Sequence, residues 1–239
     1  MAQDSKPDWQ HLRLRDRVAP GVRVLLVGIN PGVTSARTGH HFAGPSNRFW
    51  KLLYASGLVP EPITHLDDVR LSEWGLGVTN VVARPSPGID DLRPHEYIEG
   101  WHELERKIDR FRPEIVAFVG VTIYRSLLKV LGAERVASIQ PGFQPATVHG
   151  ARIFVLPNPS GRNANYTYDE MLAAFRALRD AISAPRPDRG PSADGASAES
   201  AAPAARRSVR AGGTDPRTPP STPVAAPSRR APRRRAGSR

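Results

Sequence analysis

Three short segments carry the residues most able to do chemistry: Asn30-Pro31-Gly32, the run "NVVARPSPG" that begins at Asn80, and Asn158-Pro159-Ser160-Gly161. Each opens on an asparagine. An amide neither titrates nor attacks, but its carbonyl can hold and orient a water while its NH2 engages another partner. A site built this way suits a reaction whose leaving group departs largely by itself, the protein positioning water and stabilising charge. Taken alone, Asn30 could equally be the first residue of an Asn-Pro-Gly turn, and Asn80 could merely cap the end of a strand. His40, His41 and Phe42 stand close to the first segment.

Other chemistries lack their markers. There is no G-x-S-x-G elbow, no phosphate-binding G-x-x-x-x-G-K-[ST], and no G-x-G-x-x-G after the first strand. His40 and His41 are adjacent, too tightly spaced to serve one metal in the manner of H-E-x-x-H. The chain has no cysteine, which removes disulfides, thiol nucleophiles, cysteine-ligated zinc and iron–sulfur clusters together. Neither a metal nor a cofactor is expected.

The elements around these segments alternate. Residues 22–29, "VRVLLVGI", form a β-branched run that must stop at Asn-Pro-Gly, because Pro31 has no ladder donor. Phe49, Trp50, Leu52, Leu53 and Tyr54 read as a helix closed by Gly57, with both aromatics in the core. A second strand is read at 77–82, a helix from Pro94 to Arg110, a strand in "EIVAFVGV" ending at Gly120, and a helix over 122–131. The last strand is 152–157. A final helix opens at Thr167, where Thr-Tyr-Asp-Glu matches a capping box with Glu170, and ends near Ile182. The strands are continuous apolar runs, not in-out alternations. The expectation is an α/β three-layer sandwich with a central, largely parallel sheet covered on both faces. In such sheets ligands bind beyond the carboxyl ends of the strands, where all three asparagine segments then converge.

Charge and composition divide the 239 residues unevenly. Residues 185–239 hold twelve arginines against four acidic residues, +8 of the net +11, leaving residues 1–184 at +3. The C-terminal segment is Ala, Pro, Ser, Gly and Arg without apolar periodicity, and is expected to be a disordered basic tail. A mildly basic domain followed by a strongly basic arm suits a protein that works on a polyanion, although charge runs are also found simply solvated. The expected organisation is an N-terminal extension at 1–17, a folded domain at 18–184 and the tail at 185–239. No apolar leader and no membrane-length apolar stretch is present, so a cytoplasmic location is expected.

Cleavage of an N-glycosidic bond to a pyrimidine anion fits an amide-based site, with a flat aromatic beside it to stack on the base and a second amide to read its edge. The segments "GINPGVTSARTGHHFAGPSNRFWKLL", "GVTNVVARPSPG", "VAFVGVTIY" and "VLPNPSGR", in this order, resemble the mismatch-specific uracil-DNA glycosylase and thymine-DNA glycosylase branch of the uracil-DNA glycosylase superfamily. The resemblance spans residues 18–182. It implies a monofunctional glycosylase acting on mispaired uracil in double-stranded DNA, as a monomer without cofactor.

The resemblance also implies the site. Asn30 matches a water-positioning asparagine that replaces the activating aspartate of faster branches. Phe42 matches the aromatic that stacks on the flipped base, with its backbone amide at a uracil oxygen. His41, Ile29, Asn80 and Ser86 fall at base-pocket positions, Ser86 as a pocket hydroxyl. Asn158, Ser160, Gly161 and Asn163 lie in the turn that approaches DNA, and Arg162 takes the wedge position. Asn80 and Arg162 follow the thymine-DNA glycosylase side, whereas "NPSG" follows the bacterial one, so neither relative's substrate range transfers whole. A non-catalytic nucleic-acid-binding module and a glycosylase of the same fold for xanthine or hypoxanthine are the competing readings.

Overall fold

The computed structural model describes residues 8–132 and 138–183. The basic segment 185–239, expected to be disordered, lies outside the described residues. β1 (Val24–Gly28) is followed by α1 (Val33–Thr38) and α2 (Phe49–Ser56), then a 3-10 helix (His65–Trp74) and β2 (Leu76–Asn80). After a short 3-10 turn (Ile89–Asp91) come α3 (Pro94–Phe111), β3 (Ile115–Val119), α4 (Val121–Val130), β4 (Gly142–Val148), β5 (Ala151–Leu156) and α5 (Tyr168–Ser183). The sheet order is β2-β1-β3-β5-β4, parallel throughout except where β4 runs antiparallel to β5.

The all-apolar reading of the strands has a physical counterpart in two cores. All five residues of β1 are buried. Val24 and Leu26 face one way, onto Phe49 and Leu53 of α2 and Phe175 and Leu178 of α5. Leu25 and Val27 face the other, with Leu104 and Ile108 of α3 and Tyr124 and Leu127 of α4. A strand covered on both faces gains about 1.5–3 kcal/mol for each large side chain removed from water, which is why no polar alternation survives in it. The result is the expected three-layer α/β/α sandwich.

The helix ends obey local rules. At α5, Thr167 N–H donates to Glu170 Oε2 at 2.7 Å and Glu170 N–H to Thr167 Oγ1 at 3.2 Å, closing the capping box read in the sequence. α2 stops at Gly57, whose φ of +79° suits glycine. On α3, Gly100 lies so close to the chain after β2 that an added Cβ would stand 2.3 Å from the Val81 carbonyl oxygen. No side chain fits there.

Four elements are absent from the sequence expectation: the short 3-10 turn at Ile89–Asp91 and the three that follow. β4, "GFQPATV", is an edge strand with mostly exposed residues, Pro145 within it and a register irregularity between Phe143 and Thr147. It has neither the apolar run nor the regular alternation that marks a strand. The 3-10 helix at 65–74 buries only Asp68 and Leu71, and α1 is six residues long. Just ahead of the first strand, Arg17 exchanges backbone hydrogen bonds with Val78 of β2 at 2.9 and 2.8 Å. Asp16 accepts from the Thr79 hydroxyl at 2.6 Å and pairs with Lys107 at 2.7 Å. The end of the N-terminal extension is thereby fastened to the sheet.

Candidate functional site

A cleft of about 760 Å3 opens at the carboxyl ends of the parallel strands and is lined from all three asparagine segments: Asn30, Asn80 and Asn158 each border it. The convergence follows from the topology. β1 is central, β2 pairs with it in register so that Gly28 faces Asn80, and β5 sits beyond β3.

Asn30 leaves β1 with its amide oriented by chemistry that allows one choice. Its Nδ2 lies 3.1 Å from the Pro31 carbonyl oxygen, 3.2 Å from the Arg84 carbonyl oxygen and 2.8 Å from Ser86 Oγ. Carbonyls only accept, so the NH2 must face them. Oδ1 has no donor among the described residues and stands on a residue that lines the cleft. That oxygen can accept a hydrogen bond from a water and aim it, without acting as a strong base.

Ser86 has a different part from the pocket hydroxyl expected. It is 2% exposed; its Oγ accepts from Asn30 and donates to the Gly88 carbonyl at 2.6 Å. With both roles taken by protein groups, the hydroxyl fixes Asn30 and does not line the cleft.

The 39–43 turn carries the aromatic. Phe42 is half-buried, stacked on Phe49 at 4.0 Å between ring centroids and 24° between planes. Its φ is +52°, a left-handed conformation uncommon outside glycine. Its N–H has no acceptor among the described residues, whereas His41 N–H donates to Asp68 Oδ2 and Ala43 N–H to Ser35 Oγ. Phe49 and Trp50 are core, as read. Ile29 is half-buried on the cleft wall, its carbonyl accepting from Val82 N–H at 2.8 Å.

His41, expected in the base pocket, borders the cleft and is anchored through one ring nitrogen. Only 1% of it is exposed, and its Nε2–H donates to the Arg15 carbonyl at 2.9 Å. Burial lowers its pKa from 6.5, so the ring is neutral near pH 7. Nε2 is spent on anchoring the turn, while Nδ1, the acceptor nitrogen of this tautomer, has no partner among the described residues and belongs to a side chain that borders the cleft. Asn80, in contrast, makes no side-chain hydrogen bond among the described residues. Its Oδ1 lies against Gly28, where an added Cβ would approach it to 2.5 Å.

Beyond β5 the chain forms a tight turn. Asn158 Oδ1 accepts from Ser160 N–H at 3.0 Å, Ser160 Oγ from Arg162 N–H at 3.3 Å, and Asn163 Nδ2 donates to the Asn158 carbonyl at 2.7 Å. Gly161 abuts Ser46, so that a Cβ added to the glycine would stand 2.5 Å from Ser46 Cβ, and Arg48 N–H donates to the Pro159 carbonyl at 3.0 Å. The turn is therefore docked on the 45–48 segment. Arg162 is exposed at its tip, its guanidinium unpaired among the described residues, between the cleft and a neighbouring basin of about 380 Å3 that also holds Arg125.

Two residues that matter to this geometry have little or no mark in the sequence. Gly28 is one glycine of "GINPG", read there only as the end of a strand. Asp68 belongs to an Asp-Asp pair in a polar stretch, with nothing in the pattern to show that it is buried.

The segment that holds Asn30 is itself tied down. Arg84 grips Glu96 through Nε at 2.7 Å and Nη2 at 2.8 Å, while Arg93 N–H donates to the same carboxylate. The Arg84 hydrogen bonds hold the Glu96 pKa at about 2, against an ordinary 4.5. A carboxylate depressed in this way contributes stability above pH 4.5 and loses it as pH falls towards 2. Glu96→Gln should therefore cost about 1–2 kcal/mol at neutral pH, the low end of the figure for hydrogen bonds to a charged group, because the Arg84 side chain is partly exposed and the pair is screened by solvent. The gap to wild type in urea unfolding should close between pH 4.5 and 2; a gap independent of pH would contradict the pairing.

Among solved structures, a solution NMR structure from Methanosarcina acetivorans, of a candidate uracil DNA glycosylase, aligns over 70% of this chain and 98% of its own, at 17% identity and a TM-score of 0.44. The family model for the uracil DNA glycosylase superfamily matches residues 16–179, from the last turn of the N-terminal extension through most of α5. The match covers every strand and all three asparagine segments, and the chain belongs to the uracil DNA glycosylase superfamily.

Proposed function

We propose that this superfamily member is a monofunctional, mismatch-directed DNA glycosylase that releases uracil opposite guanine from double-stranded DNA. The observation that carries the reading is Asn30. Its NH2 is consumed by two carbonyls and the Ser86 hydroxyl, which leaves Oδ1 free on the cleft wall to position a water at the sugar carbon. The flipped base lies on Phe42, with the Phe42 N–H and the unpartnered Asn80 amide at its polar edge. The base departs as an anion, and its developing charge is met by those donors. Asparagine is a weak activator, so discrimination by ease of extrusion, which favours mispaired bases, fits this site better than fast processing of any uracil. Among the described residues no lysine lines the cleft, which supports base release without strand cleavage.

Arg162, exposed and unpaired at the tip of the docked turn, fills the space left by the extruded nucleotide. The test is a panel of single-lesion duplexes, U:G, U:A, T:G, xanthine and hypoxanthine, with wild type and Arg162→Ala in single turnover. Wild type should release uracil from U:G fastest. Arg162→Ala should slow U:A about tenfold more than U:G, since a Watson–Crick pair costs a few kcal/mol more to open than a mispair. Equal losses on both duplexes would make Arg162 a phosphate contact. Release of xanthine or hypoxanthine ahead of uracil would replace the substrate, and binding without release of any base would replace the enzyme by a binding module.

A further inference from the structure

Asp68 stands outside the cleft, on the 3-10 helix His65–Trp74, and its side chain is wholly buried. Oδ1 accepts from Arg17 Nε at 3.0 Å and from His40 Nδ1 at 3.1 Å; Oδ2 accepts from His41 N–H at 3.1 Å. Arg17 reaches past the carboxylate with Nη2 to the Gly39 carbonyl at 3.1 Å. The ion pair thus brackets three successive residues of the turn, Gly39, His40 and His41, just before Phe42. Two further ties hold the same stretch: His41 Nε2–H to the Arg15 carbonyl, and Trp50 Nε1–H to the His41 carbonyl at 3.1 Å.

We propose that Asp68 is a positioning residue for the base pocket, holding the turn in the conformation that keeps the Phe42 N–H free and the Phe42 ring against Phe49. This rests on the proposed use of the cleft as a base pocket. A non-glycine residue at φ +52° persists only where its surroundings over-determine it. Here the neighbours on both sides are pinned, and the backbone N–H of the first of them ends on a buried carboxylate. Paired and fully hydrogen-bonded, a buried charge of this kind costs little, but it imposes one geometry on everything that bonds to it. Asp68 does not line the cleft; it acts through Phe42.

The test compares full-length wild type with Asp68→Asn, Asp68→Ala and the milder His40→Ala. Measured are single-turnover uracil release from U:G, affinity for a duplex carrying an abasic analogue opposite guanine, and the indole N–H resonances of the four tryptophans. Asp68→Ala should slow release about 100-fold, the loss expected for a displacement of about 1 Å at a binding group. Asp68→Asn, which keeps one acceptor, should lose about tenfold, and His40→Ala about threefold, both within that same range. Abasic-duplex affinity should stay within about twofold, because no base occupies the pocket in that complex. The Trp50 indole resonance, reporting on the His41 carbonyl, should move while those of Trp9, Trp74 and Trp101 hold. Wild-type release rates in all three variants overturn the inference alone. Loss of release matched by loss of abasic-duplex binding, with all four resonances displaced, makes Asp68 a residue of general stability and also overturns it. Wild type that binds U:G without releasing uracil overturns the base-pocket reading, and this inference with it.

Discussion

Asn30→Ala should abolish nearly all turnover while leaving the DNA-binding surface untouched: single-turnover release of uracil from U:G should fall about 10^3-fold, within the range that a positioned proton-transfer or water-holding group contributes. The effect is expected on the rate at saturation and not on the duplex concentration that gives half-maximal rate, because the role proposed for Asn30 is to hold the water and not to grip the DNA backbone. The fold should also tolerate it. Asn30 is half-buried, and the three acceptors its NH2 serves are loop groups outside the two apolar cores. Rates within threefold of wild type would remove Asn30 from the chemistry.

Asn30→Asp is the informative companion. An aspartate would supply the base that an amide lacks, which by itself suggests a gain. The geometry argues the reverse. The Pro31 and Arg84 carbonyl oxygens face the position of Nδ2 at 3.1 and 3.2 Å, and a carboxylate oxygen there would meet two acceptors with no hydrogen to share. Only the Ser86 hydroxyl could turn to donate, abandoning Gly88. The side chain must rotate away, which spoils the aim that the amide secures. Asn30→Asp should therefore fall between wild type and Asn30→Ala at neutral pH.

The legible part of this fold was the part governed by burial. Continuous, β-branched apolar runs such as "VLLVG" and "IVAFV", five residues long and bounded by glycine or proline, read as strands with cover on both faces, and that punctuation fixed where they delivered Asn30, Asn80 and Asn158. β4 was not legible, because an exposed edge strand containing Pro145 leaves no apolar signature. At the site, residue types announced which groups could do chemistry but not which were already spent. Ser86 and His41 have the right chemistry for a base pocket, yet the Ser86 hydroxyl is already taken by Asn30 and Gly88, and one of the two ring nitrogens of His41 is given to the Arg15 carbonyl. Hydrogen-bond saturation is a property of three-dimensional neighbours, and Asp68, 51 residues from its partner Arg17, is the extreme case.

Gly28→Ala should injure the pocket without injuring the fold. The added methyl would stand 2.5 Å from Asn80 Oδ1, well inside van der Waals contact, but 3.5 Å from Phe42 Cζ, an ordinary separation. The clash thus falls on the far end of one side chain that has no hydrogen bond to hold it. Asn80 can swing clear at small cost, and alanine suits a strand no worse than glycine, so the midpoint of urea unfolding should barely change. Base recognition should suffer as though the amide had been deleted, slowing uracil release about 10- to 100-fold, the worth of one good base-edge contact. The decisive measurement is the double variant. If Gly28→Ala acts only by displacing Asn80, then Gly28→Ala with Asn80→Ala should release uracil as fast as Asn80→Ala alone, since the methyl then has no amide to displace. Additive losses would mean that the methyl at position 28 meets the base directly and not through Asn80, and a wild-type rate in Asn80→Ala alone would remove Asn80 from the base edge.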